Sequence, residues 1–163
     1  MSNKPLKRHP GLMELSRDHH HGLLLCWKIK EGLKRRTEPQ LIKRYVDFFF
    51  EKHLAPHFRE EEEFAFPLLG QEHPLIEKAL AQHETLRQLF HKNTELAATL
   101  SAIAGALDAH IRFEERELFE EIQRNASEEQ LLALATQLKP LEEKEDPEKW
   151  ADVFWVTKEE PER

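Results

Sequence analysis

Two segments of the chain, HFREEEEFAF (residues 57–66) and HIRFEERELF (residues 110–119), share one pattern and align without a gap. Each begins with a histidine that is followed four residues later by a glutamate. A helix turns about 100° per residue, so these two side chains lie on one face, one turn apart. A run of charge usually marks a solvated face. The matched spacing in both copies instead favours metal ligands that face inward.

The composition indicates one helical domain. The chain has 163 residues, of which 34% are charged and only 5 are glycine, and it lacks regularly alternating valine or isoleucine runs. The net charge of −7 argues against nucleic acid or an anionic membrane as a partner. No apolar run approaches the roughly 20 residues of a membrane span. A single cysteine, Cys26, and a start without a signal-peptide core indicate a cytoplasmic protein.

Apolar spacing and turn residues predict four long helices, at about residues 11–35, 40–70, 74–91 and 96–123. A short fifth helix ends before Pro140. Further signals refine these limits: capping boxes at Thr37–Gln40 and Ser127–Gln130, a kink at Pro56, and a helix start at Pro74. Short connections predict an all-α fold, an up-down-up-down antiparallel four-helix bundle over residues 1–140.

In such a bundle, residues at equal distances from a connecting turn lie at the same height. The midpoints between successive members of the series His19, His57, His83 and His110 fall at residues 38, 70 and 96–97, at or next to the predicted turns. Four histidines, one per helix, are therefore expected at one level. With the two glutamates they make six candidate metal ligands: His19, His57, Glu61, His83, His110 and Glu114.

The ligand types indicate the metal. Buried imidazoles and carboxylates need hydrogen-bond partners and charge compensation, which two metal ions would supply. Without a set of thiolates, structural zinc and iron–sulfur clusters are disfavoured. Mixed imidazole and carboxylate ligands suit iron or manganese, with zinc possible. No histidine has a glutamate three residues before it, as a ferritin-like di-metal site requires.

The segments LSRDH, HFREEEE, QHETL and HIRFEEREL together resemble the hemerythrin-like (HHE cation-binding) family over roughly residues 12–123. The resemblance implies a non-haem di-iron centre in which Glu61 and Glu114 bridge the two irons and the histidines are terminal ligands. Arg87 stands where oxygen-carrying hemerythrins have a further histidine, and Glu114 follows His110 by four residues instead of five. The chain is closer to the six-ligand variant, which is associated with response to oxygen, nitric oxide or peroxide and with iron handling.

Several alternatives stay open at this point. His20 competes with His19 as the first ligand, although only His19 lies on the apolar stripe of its helix. His53 could join the ligands or line the cavity. One of the neighbouring glutamates (60, 62, 63, 115 or 117) is expected to accept a hydrogen bond from a ligand imidazole. No residue outside the ligands suggests a substrate acid, base or nucleophile, so binding, sensing or iron handling is favoured over enzyme catalysis.

The segment 141–163 is an acidic tail that contains Trp150, Phe154 and Trp155. These aromatic residues are expected to dock, either on this chain or on a protein partner.

Two alternative functions stay open. One is iron storage or donation, for iron homeostasis or cluster repair. The other is a metal-free helical scaffold that uses the tail to bind a partner protein.

Overall fold

The computed structural model describes residues 6–138, 150 and 153–156. These residues contain helices and no strand, so the all-helical prediction is confirmed. The up-down-up-down order of four helices stays a prediction. The α-helices in the described ranges are α1 (Met13–Lys34), α2 (Pro39–Phe49), α3 (Ala55–Glu60), α4 (Pro74–His91), α5 (Leu96–Phe113), α6 (Phe119–Asn125) and α7 (Glu128–Gln137).

The helix starts follow the predicted signals with one exception. Ser127 and Gln130 form the predicted capping box of α7, and Pro74 is the first residue of α4. The capping box predicted at Thr37 is wrong, because Glu38 is the N-cap of α2 and makes no side-chain capping bond. Pro39 takes the first helical position and thereby places the N-cap at Glu38, one residue after Thr37.

Three π-helical turns interrupt the helices, at Phe50–Leu54, Glu61–Ala65 and Glu114–Leu118. The first lies directly before Pro56, where we predict a kink. The other two begin at the glutamates of the repeated motif. Their closing bonds run from the Phe66 amide to the Glu61 carbonyl and from the Phe119 amide to the Glu114 carbonyl. Such turns are frequent at functional sites.

The apolar core consists of two clusters, one at each end of the helices. On α1, Leu15 belongs to one cluster and Leu25 to the other, and the buried His19 lies between them along the chain. On α4, Ala79 and Leu86 flank His83 in the same way. A polar layer therefore separates the two halves of the core, at the level where the sequence predicts the histidines.

Helix α1 packs along α5 at close range. A Cβ atom added to Gly22 would lie 2.7 Å from Cδ1 of Ile111, so the Ile111 side chain uses the space that glycine leaves. One turn before Gly22, the same contact brings His19 towards Glu114, which directly follows α5. The close helix packing thus positions part of the polar layer.

Part of the C-terminal tail docks on this chain. Phe154 and Trp155 are buried in the cluster that contains Leu25, and the ring of Trp150 lies 5.6 Å from that of Tyr45. The amine of the buried Lys28 donates to the Tyr45 hydroxyl at 3.0 Å and lies 4.1 Å from the Trp155 ring centre. The predicted docking of the aromatic residues is confirmed for these positions. The rest of the tail lies outside the described residues.

Candidate metal centre

The structure brings all six predicted ligands together in two groups. His19 and His57 form one group with Glu61 and Glu114, and His83 and His110 form the other with the same two glutamates. Within each group the potential ligand atoms lie within 4.8 Å of one another. All six side chains are buried, and Glu61, His83 and Glu114 have no exposed surface.

Several atoms that face the middle of this cluster lack a hydrogen-bond partner. They are Nε2 of His57, His83 and His110, both carboxylate oxygens of Glu61, and Oε2 of Glu114. Short contacts join them: Nε2 of His57 and of His83 each lie 3.2 Å from Oε1 of Glu61. Buried polar atoms without partners are costly and rare in native proteins. Cations held between the imidazoles and the carboxylates would satisfy them, so the residues fit a metal centre.

The opposite side of each imidazole has a fixed hydrogen bond. The Nδ1–H groups donate to four oxygen atoms, over distances of 2.6–2.9 Å: His19 to Glu115, His57 to Asp18, His83 to Glu62 and His110 to Gln82. Because a carboxylate or amide oxygen can only accept, Nδ1 must carry the proton. Nε2 is then the ring atom available to a metal ion, and an outer acceptor of this kind is the usual companion of a histidine ligand.

These four bonds close a ring around the helices. Asp18 on α1 supports His57 on α3, and Glu62, just after α3, supports His83 on α4. Gln82 on α4 supports His110 on α5. Glu115, just after α5, supports His19 on α1 and so returns to the first helix. Every acceptor is the sequence neighbour of one candidate ligand and orients the next, so the helices fix one another's side chains.

In the metal-free protein the pKa values of His19 and His57, at one end of the cluster, are strongly raised. Burial alone lowers the pKa of His19, but hydrogen bonds to Glu114 and Glu115 outweigh it and raise the pKa to about 9. Burial likewise acts against protonation of His57. The charge of Glu61 and the bond to Asp18 raise the pKa of His57 to about 10. Without metal, protons therefore occupy the nitrogen atoms that face the carboxylates.

Glu114, the shared glutamate that directly follows α5, has a lowered pKa. Burial alone raises the pKa of Glu114, but the charge of His110 and hydrogen bonds, including one from His19, hold it well below its usual range. The pKa of His83 is raised well above its usual range, against the effect of burial, by the nearby carboxylates of Glu114, Glu61 and Glu62. The cluster therefore holds the Glu114 carboxylate ionised, as a metal ligand requires.

Aromatic rings enclose the imidazoles. Phe58 stacks on His83 with ring centres 3.8 Å apart, and Phe119 stacks on His19 at 5.3 Å. Phe66 covers His83 from another side at 5.5 Å. Phe58, Phe66 and Phe119 are all buried core residues. The sequence does not single out Phe58, although this residue directly follows His57 in the motif.

The alternative histidines differ in where they lie. His19 lies in the cluster, whereas His20 is exposed on α1. His53 is buried but belongs to neither group; its Nε2 lies 3.7 Å from the Asp18 carboxylate. Outside the cluster, His9 and His73 have a different task, since each accepts a hydrogen bond from a backbone amide at the start of a helix.

Sequence reasoning finds some of the supporting acceptors and misses others. One glutamate beside the motif is expected to serve an imidazole, and two do so, Glu62 and Glu115. The motif repeat matches these two residues to each other, which is a usable signal. Asp18 and Gln82 are missed as acceptors. Their common signal is their position immediately before His19 and His83.

Comparison with known proteins identifies the family. A family model described as the hemerythrin HHE cation-binding domain matches residues 11–122, so the chain belongs to this family. Neither the curated proteins nor the solved structures contain a match to the chain. In the described ranges no helix has the length and apolar character needed to cross a bilayer. Family membership and the buried His/Glu groups together indicate a metal ion site.

Proposed function

We propose that this protein holds a non-haem di-iron centre that binds or responds to dioxygen, nitric oxide or peroxide. The observation that carries the proposal is the sharing of Glu61 and Glu114 by both ligand groups. A carboxylate common to two groups suits a bridge between two ions, with two imidazoles left for each ion. The histidines of one end would be His19 and His57, and those of the other His83 and His110.

The donor set supports iron as the metal. Four imidazole nitrogens and two carboxylates are ligands of intermediate hardness that suit iron or manganese, with zinc as a further possibility. Six protein ligands shared between two ions also leave coordination positions for a small molecule. Bound iron would supply a redox-active cation at such a position. The phenylalanine rings that cover the imidazoles favour small, weakly polar ligands over large substrates.

Binding or sensing fits the surroundings of the centre better than turnover of an organic substrate. The carboxyl and amide groups nearest to the imidazoles are already engaged as their hydrogen-bond acceptors. We therefore propose a cytoplasmic metal-binding protein that is not primarily an enzyme, in keeping with its buried, unpaired Cys26. The net charge of −7 also supports this proposal, because a negatively charged protein is not suited to bind nucleic acid.

Metal content and an absorption spectrum test this proposal. We expect about two irons per chain, and a new near-ultraviolet band when air reaches the ferrous protein. His110→Ala should lose iron and the band. His20→Ala, which changes an exposed histidine of α1, should retain both. Substoichiometric metal after anaerobic iron loading, with a flat spectrum, would contradict the proposal and favour the metal-free scaffold.

A chelator distinguishes the two iron functions. A centre whose imidazoles are each held on both sides should release iron slowly to an external chelator. Fast release from the fully loaded protein would favour iron storage or donation over a fixed ligand-binding centre. Zinc or manganese in place of iron, after expression with all three metals available, would change the assignment of the metal and leave the site in place.

A further inference from the structure

The four hydrogen bonds around the cluster are not equally covered on their outer side. Arg8 donates to the backbone carbonyl of Glu115 at 2.8 Å and lies 3.4 Å from its carboxylate. Arg87 donates to Glu62 at 2.8 Å. Both glutamates that support histidines are thus backed by an arginine, although their side chains keep part of their surface, 30% for Glu115 and 27% for Glu62.

On the third side, the acceptor itself is buried. Asp18, which supports His57, is buried and has the equally buried His53 beside it, with 3.7 Å between the His53 Nε2 and the Asp18 Oδ1 atoms. His53 is covered in turn by Phe49 and His21, whose ring centres lie 4.9 and 5.4 Å away. A molecule that approached from this side would have to displace several packed rings.

The fourth side opens to a groove. A cavity of ≈ 350 Å³ lies between α4 and α5, and the Gln82–His110 pair forms part of its lining. The other lining residues are Lys78, Ala81, Thr85, Leu86, Ala106 and Ala109. Gln82 is only half buried, whereas His110 is 2% exposed and its Nε2 lacks a hydrogen-bond partner. The groove therefore ends at an imidazole of the centre.

The chemistry of the lining indicates what could use this route. Among the lining residues that the structure describes there is no carboxylate, so the groove offers nothing to attract a metal cation. Its one permanent charge, on Lys78, lies 4.5 Å above the Phe113 ring. Most of the remaining wall is alanine and leucine. A small neutral molecule is the occupant that such a wall admits.

We propose that the groove between α4 and α5 is the entrance for a small neutral ligand, and that the hydrogen-bonded Gln82–His110 pair is its last barrier. The inference rests on the proposed function, because it assigns a route to that centre. It also makes ligand access different at the two ends of the centre. The ligand reaches the His83–His110 end first, because the groove ends at His110.

Filling the groove tests the route. Ala106→Phe and Ala81→Phe put a ring into it from opposite walls, and Ala97→Phe puts the same ring on an exposed part of α5 away from it. The probe is nitric oxide, mixed rapidly with the ferrous protein. We expect the association rate constant to fall at least about tenfold in the two groove variants and to stay unchanged in Ala97→Phe. Unchanged rate constants in groove variants that retain full iron content would overturn the proposal.

A second measurement uses the wild-type protein and needs no nitric oxide. In the zinc-loaded protein, which is diamagnetic, the exchange of the four Nδ1 protons with water can be followed by NMR. If the groove is the entrance, the His110 proton should exchange about tenfold or more faster than those of His19, His57 and His83. Equal rates, or faster exchange at another histidine, would overturn the route. Failure of the wild-type chain to bind either iron or zinc would instead refute the metal centre itself, and the entrance with it.

Discussion

Glu61 and Glu114 lie side by side in the middle of the protein, fully buried, with carboxylate oxygens within 4.8 Å of each other. They occupy equivalent positions in the two copies of the repeated motif, and both face all four histidines as members of the shared groups. Two buried carboxylates at this separation repel each other unless positive charge lies between them. In the metal-free protein, protonated imidazoles supply that charge.

Removing either shared carboxylate should empty both metal positions. Glu61→Gln and Glu114→Gln keep the side-chain volume but remove the charge and one of the oxygen ligands. We expect metal content to fall towards zero in each variant, because both ions would lose a common ligand. Metal analysis after loading measures this. Glu63→Gln, an exposed change in the same π turn as Glu61, is the control and should bind as wild type does. Loss of only one ion in Glu61→Gln would show that the carboxylate is not shared.

Metal binding should release protons. At pH 7 the metal-free protein carries protons on His19 and His57, whose pKa values are raised to about 9 and about 10. A metal ion needs the neutral ring nitrogen, so these protons must leave when it binds. Calorimetric titration with metal in buffers of different ionisation enthalpy counts them, and we expect two or more. A count near zero at pH 7 would contradict the raised pKa values.

The stability of the metal-free protein should depend on pH in a defined direction. The pKa values of His19 and His57 in the folded protein lie above the value of about 6.5 for an unfolded chain. Their contribution is therefore fully present below pH 6.5 and is lost as the pH rises through about 9 to 10. We expect the melting temperature of the chelator-treated protein to fall between pH 7 and pH 10. The metal-loaded protein, whose imidazoles are already neutral, should show a smaller change.

Asp18 should matter for metal affinity although it lies outside both ligand groups. Its carboxylate orients His57 through the 2.9 Å bond to Nδ1. Asp18→Asn keeps the size but removes the charge, and we expect metal affinity to fall by about 10–100-fold. A competition titration with a coloured chelator measures this change. Asp108→Asn is the control, since Asp108 pairs with the exposed Arg112 on the surface of α5. Equal affinities in the two variants would contradict the orienting role.

Two glycines should respond in opposite directions to substitution by alanine. A Cβ atom at Gly11 would lie 2.1 Å from the backbone oxygen of Leu131, which belongs to α7 and cannot simply rotate away. Gly11→Ala should therefore reduce the free energy of unfolding by about 1–3 kcal/mol. Gly105, in α5, has open space around it, and Gly105→Ala should raise the free energy by about 1 kcal/mol through helix propensity. Thermal unfolding of the metal-free variants measures both changes.

The sequence predicts the helices and the six candidate ligands because both depend on local periodicity. A spacing of four residues places His57 and Glu61 on one face whatever the neighbouring helices do. The ring of acceptors depends on how the helices are rotated against one another, and no periodic signal reports that rotation. Periodicity therefore gives no sign that Asp18 and Gln82 are acceptors, although each adjoins a predicted ligand.

The local misses have equally local causes. The failed capping box at Thr37 reflects a competition between two start signals, in which the fixed backbone angle of Pro39 determines where the helix begins. The π turns at Glu61 and Glu114 add one residue to a helical turn. Apolar spacing alone does not reveal such an insertion, because the flanking residues still face the core. The spacing of the ligands does not point to Phe58, because this residue lies beside the ligand face and stacks on a histidine of another helix.

The hydrogen bond between His19 and Glu115 also constrains when the centre can form. These residues are 96 positions apart, and their bond joins the first long helix to the residue that follows the last long helix by two positions. A ribosome that adds 5–20 residues per second needs roughly 5–20 s to travel from one to the other. During that interval the nascent chain exposes His19, His57 and Glu61 without the residues that complete either group. Correct metal loading therefore has to wait for the last long helix, and until that helix has left the ribosome the emerging chain is open to capture of the wrong metal.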